Sequence, residues 1–181
     1  MPTLHTLRPQ KIPLRRYLAR ASVALIHRTN SSGEQELLFI QRAVRDGDPW
    51  SGDMAFPGGR MEAQDRNPQR TAERETLEET GLDLASHGEL EGRLAELVTR
   101  EHSRWRPMVV TPYVYRWRGP EDSMQNHEVD RMVWIPHTDL VRSVRLWRTS
   151  LGTLRVPCYR YDGHCIWGLS YSMLRDFQRR A

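Results

Sequence analysis

Between Asn67-Pro68 and Thr80-Gly81 the chain is punctuated at both ends. Asn suits the N-cap, Pro the first helical position, and Gly the left-handed residue that closes a helix. The enclosed stretch carries Arg74-Glu75-Thr76-Leu77-Glu78-Glu79. At about 100° per residue, Glu75, Glu78 and Glu79 fall at roughly 0°, 300° and 40°, so three carboxylates share an arc of about 100°. Nothing else on that arc neutralises them. Like charges at this spacing weaken a helix by a few tenths of a kcal/mol per pair. A divalent cation reverses the sign, and oxygen donors without Cys or His select Mg²⁺ or Mn²⁺. A solvated acidic face is the alternative for the triplet taken alone.

Around that helix the pattern reads as α/β. Residues 22 to 28 and 36 to 42 are two strands joined by Thr29-Asn30-Ser31-Ser32-Gly33. Further strands are expected at 107 to 117, 131 to 135 and 154 to 161, with Pro112 at an edge or bulge. A last helix from about Trp167 to Arg179 aligns Leu169, Met173, Leu174 and Phe177 in one apolar stripe. Strands without regular βαβ alternation imply a mixed sheet with helices on its faces.

The 181 residues, with no internal repeat or long linker, fit one domain spanning 1 to 181, of which 1 to 20 form a basic N-terminal extension. Cys158 and Cys165 show neither metal-ligand spacing nor a disulfide framework, so reduced thiols in a cytoplasmic protein are expected. The apolar run Ala21 to Ile26 is too short to span a bilayer. Arg8, Lys11, Arg15, Arg16 and Arg20 precede the first acidic residue and imitate a targeting leader, but Pro2, Pro9 and Pro13 oppose an amphipathic helix there.

Upstream, Phe56-Pro57-Gly58-Gly59 forces a bend and lets backbone approach the carboxylate face, offering a carbonyl to a cation or amides to phosphate. Arg74 flanks Glu78 and is placed to hold it by a charge-assisted bond. Carboxylates, turn and cation together suit attack of water on a phosphoanhydride.

Gly59, then fourteen intervening residues, then Arg74-Glu75-Thr76-Leu77-Glu78-Glu79-Thr80-Gly81-Leu82 resembles the Nudix box. Its second half matches closely, with Thr76 the one loose position; the first half is one residue longer than usual, and Asp65 stands where its first Glu belongs. The spacing, with Leu38-Phe39-Ile40-Gln41-Arg42 upstream and Ile166-Trp167-Gly168-Leu169-Ser170 near the C-terminus, is similar to the coenzyme A pyrophosphatase branch. Asp48 departs from that branch's upstream signature, where an Arg is usual.

The resemblance implies a Nudix fold, an α/β/α sandwich with a mixed β-sheet, and a pyrophosphohydrolase. Glu75 and Glu79 would bind Mg²⁺ or Mn²⁺, with Glu78 sharing the site, Gly59 lending a carbonyl and Arg74 positioning. A Glu of the box helix or Glu128 would be the general base; a solvated loop acid is the alternative for Glu128. The substrate implied is coenzyme A or an acyl derivative, with ADP-ribose, dinucleotide cofactors and diadenosine polyphosphates as alternatives, and a non-catalytic nucleotide- or RNA-binding module as the reading of another class. Arg42, Phe56, Gly58, Gly59 and Trp50 are the substrate-binding candidates; Trp50 and Phe56 can stack an adenine, and Phe56 equally suits the core.

Other features read more plainly. Arg100, His102, Arg104 and Arg106 beside Trp105 suit a solvated edge, with a phosphate clamp as the alternative. Arg142, Arg145, Trp147 and Arg148 suit a solvated helix face better than a nucleic-acid surface. His127 and His137 read as surface residues. The balance of 27 basic against 23 acidic residues gives +4, and all but Lys11 of the basic set are arginines. Four of the 23 acidic residues cluster between Glu73 and Glu79, so the rest of the surface favours polyanions around a locally acidic centre. The expected partner is a nucleotide-derived small molecule, with no membrane and no nucleic acid. A homodimer is compatible with the sequence.

Overall fold

The structure, a computed structural model, describes residues 10–43, 52–100, 106–120, 129–149 and 152–180. A hairpin opens the fold. Strands β1 (Ala19–Thr29) and β2 (Gln35–Arg42) pair antiparallel, from His27 against Leu37 to Thr29 against Gln35. Asn30 builds the turn: its Oδ1 accepts from the N–H groups of Ser32 (3.0 Å) and Glu34 (2.9 Å).

Short strands β3 (Met54–Ala55) and β4 (Gly58–Arg60) follow, then helix α1 (Pro68–Thr80) and the single turn α2 (Leu84–His87). β5 (Gly88–Arg93), β6 (Leu97–Arg100), β7 (Pro107–Trp117) and β8 (Val129–Pro136) complete a sheet of eight strands among the described residues. Its main path runs β3-β2-β1-β7-β5, with β4 on β1, β6 on β7 and β8 on β2. β1 and β7 run parallel from Ala19 against Met108 to His27 against Arg116, and the other pairs are antiparallel, so the sheet is mixed as expected.

The period of a strand splits the core in two. Ala24 and Ile26 of β1 face a cluster with Ala72 of α1, Leu38, Leu82 and Tyr115. Leu25 faces the other side, packed with Phe39, Val114 and Met173, Leu174 and Phe177 of the last helix, α3 (Gly168–Gln178). Helix, sheet, helix is the α/β/α arrangement that the resemblance implies. Leu169, the fourth residue of the expected stripe, is only partly buried.

Three expectations are corrected here. Pro112 lies within the central strand β7, opposite Val23, rather than at an edge. It is tolerated because its other side faces the break between β5 and β6, where its carbonyl accepts from Leu94 N–H at 3.0 Å and no ladder bond needs its missing donor. Residues Arg142 to Arg148 form a strand, not a helix face: β9 (Val141–Thr149), β10 (Gly152–Tyr161) and β11 (His164–Trp167) make a second, antiparallel three-stranded sheet. The i, i+3 spacing of the arginines imitates a helix, yet Trp147 pairs with Leu154 and Arg145 with Val156 across a hairpin. His137 is half-buried rather than on the surface, its ring 6.2 Å from that of Phe177. Among the described residues no helix is long and apolar enough to cross a membrane.

Candidate active site

Both ends of α1 form as the sequence dictates. The Asn67 side chain accepts from Arg70 N–H at 3.1 Å, and Gly81 closes the helix at φ 75°. Thr76, at the loose position of the motif, is fully buried, and its hydroxyl donates to the Ala72 carbonyl at 2.7 Å. A buried hydroxyl satisfied inside its own helix costs little where an aliphatic residue is usual. Tyr115 of β7 donates to Glu73 Oε1 at 2.9 Å and ties the helix to the sheet. Burial and the Glu73 carboxylate both push that phenol up.

β4 runs along the carboxylate face. Ala24 N–H bonds the Pro57 carbonyl at 2.9 Å, and Gly58 and Gly59 lie opposite Val23 and Ser22. A Cβ at Gly58 would meet Ser22 O at 2.3 Å, and one at Gly59 would meet the Glu75 carboxyl at 2.4 Å. At Gly58 the clash is with backbone, so only glycine permits the approach; at Gly59 a Cβ would displace the Glu75 carboxyl. Gly58 N–H donates to Glu79 Oε2 at 2.8 Å.

Arg74 organises the rest. Its Nη1 donates to Glu78 at 3.0 Å, and its Nη2 to Glu75 at 2.9 Å and to the Arg60 carbonyl at 3.1 Å. Nε and Nη2 together grip Asp65 at 3.1 and 3.0 Å. The arc is therefore not left without a counter-charge, as the sequence suggests; Arg74 reaches two of its three carboxylates. Asp65 also accepts from Glu62 N–H (2.9 Å) and Thr71 Oγ1 (3.0 Å), and the Arg74 bond above all holds its carboxyl down at about 2. Burial pushes Glu75 up despite Arg74, while the Glu78 side chain stays 53% exposed.

Glu75, Glu78 and Glu79 share one face but do not converge among the described residues: Arg74 holds the first two and Gly58 the third. Gly58, Gly59 and Glu79 line a cleft of about 680 Å³ together with Arg42, Asp53 and Trp167. Phe56 lines it too but is 4% exposed, its ring stacked on Phe39 with centroids 4.6 Å apart, so it serves the core. Trp50, Glu128, His102, Arg104, Trp105 and His127, and the side chain of Arg100, lie outside the described residues. Arg106 is exposed just before β7.

One residue at the cleft escaped the sequence reading. Asp53 accepts from Trp167 Nε1 at 2.7 Å and from Arg145 Nη1 at 2.5 Å, joining β11 and β9 to the approach of β3. Gly52 before it was its only local signal, because its partners are 114 and 92 residues away.

The NUDIX domain family model matches residues 18–153. The chain belongs to the NUDIX domain family. It is 38% identical over 113 residues to an uncharacterized protein of Schizosaccharomyces pombe, covering 58% of this chain and 33% of that protein. The chain thus matches about a third of that relative's length. It is 29% identical over 175 residues to the human mitochondrial coenzyme A diphosphatase NUDT8, covering 86% of this chain and 71% of that one. The crystal structure of a MutT/nudix family protein from Enterococcus faecalis superposes with a TM-score of 0.60 at 18% identity, covering 94% of this chain and 64% of that chain.

Proposed function

We propose that this Nudix domain hydrolyses the pyrophosphate of coenzyme A or an acyl derivative, giving 4′-phosphopantetheine and adenosine 3′,5′-bisphosphate. The reaction adds water to one phosphorus and breaks the bridging P–O bond. The observation that carries the hydrolase is the close approach of Gly58 and Gly59 to Glu79 and Glu75 beside the cleft. The coenzyme A choice is supported by the branch-like motif spacing and by similarity to NUDT8.

The donors fit a hard divalent cation: all are carboxylate or carbonyl oxygens, and the missing Cβ at Gly59 keeps the space beside Glu75 open. Glu75 and Glu79, with Glu78 and the Gly59 carbonyl, would hold Mg²⁺ or Mn²⁺. Such an ion, when bound, offsets phosphate charge and makes water more acidic. Arg74, itself anchored by Asp65, orients Glu75 and Glu78; Gly58 N–H orients Glu79. Arg42 in the cleft offers a cation to the phosphates. The water's proton passes to a carboxylate, for which the helix offers Glu78, the most exposed of the three, and the chain elsewhere offers Glu128.

The test is kcat/KM for the full chain with Mg²⁺ or Mn²⁺ across coenzyme A, an acyl-coenzyme A, ADP-ribose, NADH and a diadenosine polyphosphate. Coenzyme A species ranking first support the proposal. ADP-ribose, NADH or the diadenosine compound ranking first overturns the substrate, and no product from any overturns the hydrolase for these substrates.

A further inference from the structure

The cleft ends in an aromatic cluster that the hydrolytic chemistry does not use. Trp167 lines the cleft and is only partly buried. Three neighbours fix it. Its Nε1–H is spent on Asp53 at 2.7 Å, the Arg145 guanidinium lies 4.4 Å from its ring centroid, and Trp147 packs at 5.4 Å with planes 58° apart. The second Asp53 oxygen holds Arg145 at 2.5 Å, so one carboxylate sets both the indole and the cation against it.

What this leaves Trp167 to offer is ring surface. Its donor is committed, and the adjacent cation is already paired, so the site favours a flat, polarisable group over a flexible polar chain. A ring held on several sides loses little freedom on binding, which favours affinity. Phe56, the other aromatic side chain lining the cleft among the described residues, is already stacked on Phe39 and cannot serve.

We infer that Trp167 is the stacking platform for the substrate's purine base, and that Asp53 and Arg145 position it. The inference rests on the reading of this cleft as the site of a nucleoside diphosphate derivative. It makes the base, rather than the group beyond the pyrophosphate, the part read at this end.

Calorimetric titration of the full chain with AMP and with ribose 5-phosphate separates base from phosphate without turnover. AMP is expected to bind more tightly than ribose 5-phosphate. Trp167→Leu should weaken AMP about tenfold, in the range measured for base–aromatic stacking, and leave ribose 5-phosphate unchanged. Trp167→Phe keeps an aromatic face but gives up the bond to Asp53, so it should recover part of the AMP affinity that Trp167→Leu loses. Asp53→Asn should weaken AMP selectively as well, and it carries the test should Trp167→Leu fail to fold. AMP binding no tighter than ribose 5-phosphate, or equal losses for both probes in the variants, or no loss at all, would overturn the inference. Failure of the wild-type chain to hydrolyse coenzyme A, with the AMP contrast intact, would remove the substrate proposal and leave the platform standing.

Discussion

Arg74 meets four acceptors at once, and Asp65 is the one that fixes where it points. The folded-state pKa of Asp65 is depressed from 3.8 to about 2, so its contribution to stability is present above pH 4 and is lost as pH falls through about 2. At pH 7 the shift corresponds to about 2 kcal/mol. Asp65→Asn should lower the urea-unfolding free energy by that order at pH 7, and its difference from the wild type should shrink between pH 4 and pH 2. A difference that does not change with pH would contradict the assigned charge pair. Gly59 allows a second prediction. A methyl group there meets the Glu75 carboxyl at 2.4 Å, so Gly59→Ala should reduce kcat by about a hundredfold, the effect of misplacing a catalytic group by an ångström, with circular dichroism unchanged. Periodicity makes Glu75, Glu78 and Glu79 legible in the sequence as one face. Asp53 is not legible, because no local pattern announces partners on β9 and β11.

Elements formed where local signals were strong and agreed with packing. α1 is found from Asn67 to Gly81 as its punctuation dictates, and the β1–β2 hairpin follows from the turn at Asn30 to Gly33. β9 departs from the local pattern, because arginines three apart imitate a helix, whereas its partner β10 decides the conformation through pairs such as Trp147 with Leu154. Pro112 departs from the local rule for a similar reason: whether a strand interior tolerates proline depends on what lies beside it, here the gap between β5 and β6. The caps carry measurable weight. Asn67→Ala should cost about 1 kcal/mol through the lost bond to Arg70 N–H. Gly81→Ala should cost about 1 kcal/mol more through the left-handed φ of 75°. Thermal denaturation of the two variants checks both, and an unchanged Tm in either contradicts the cap it probes.

At the scale of the molecule, the acidic centre at Glu73 to Glu79 sits in a chain of net charge +4 whose basic residues are almost all arginine. Such a surface draws polyanions by long-range attraction, which salt screens within about 10 Å at 0.1 M. Raising salt from 50 to 300 mM should therefore raise KM for a pyrophosphate substrate severalfold and leave kcat within twofold; a KM independent of salt would show that steering contributes nothing. The scarcity of lysine has no structural explanation. The most direct test of the whole account compares the wild type with Glu79→Gln in releasing 4′-phosphopantetheine from coenzyme A, with and without Mg²⁺ or Mn²⁺. The wild type should turn over only with the ion, and Glu79→Gln should lose at least about a hundredfold in rate with its circular dichroism unchanged. Ion-dependent turnover at the wild-type rate in Glu79→Gln would contradict the assignment of this helix face as the catalytic centre.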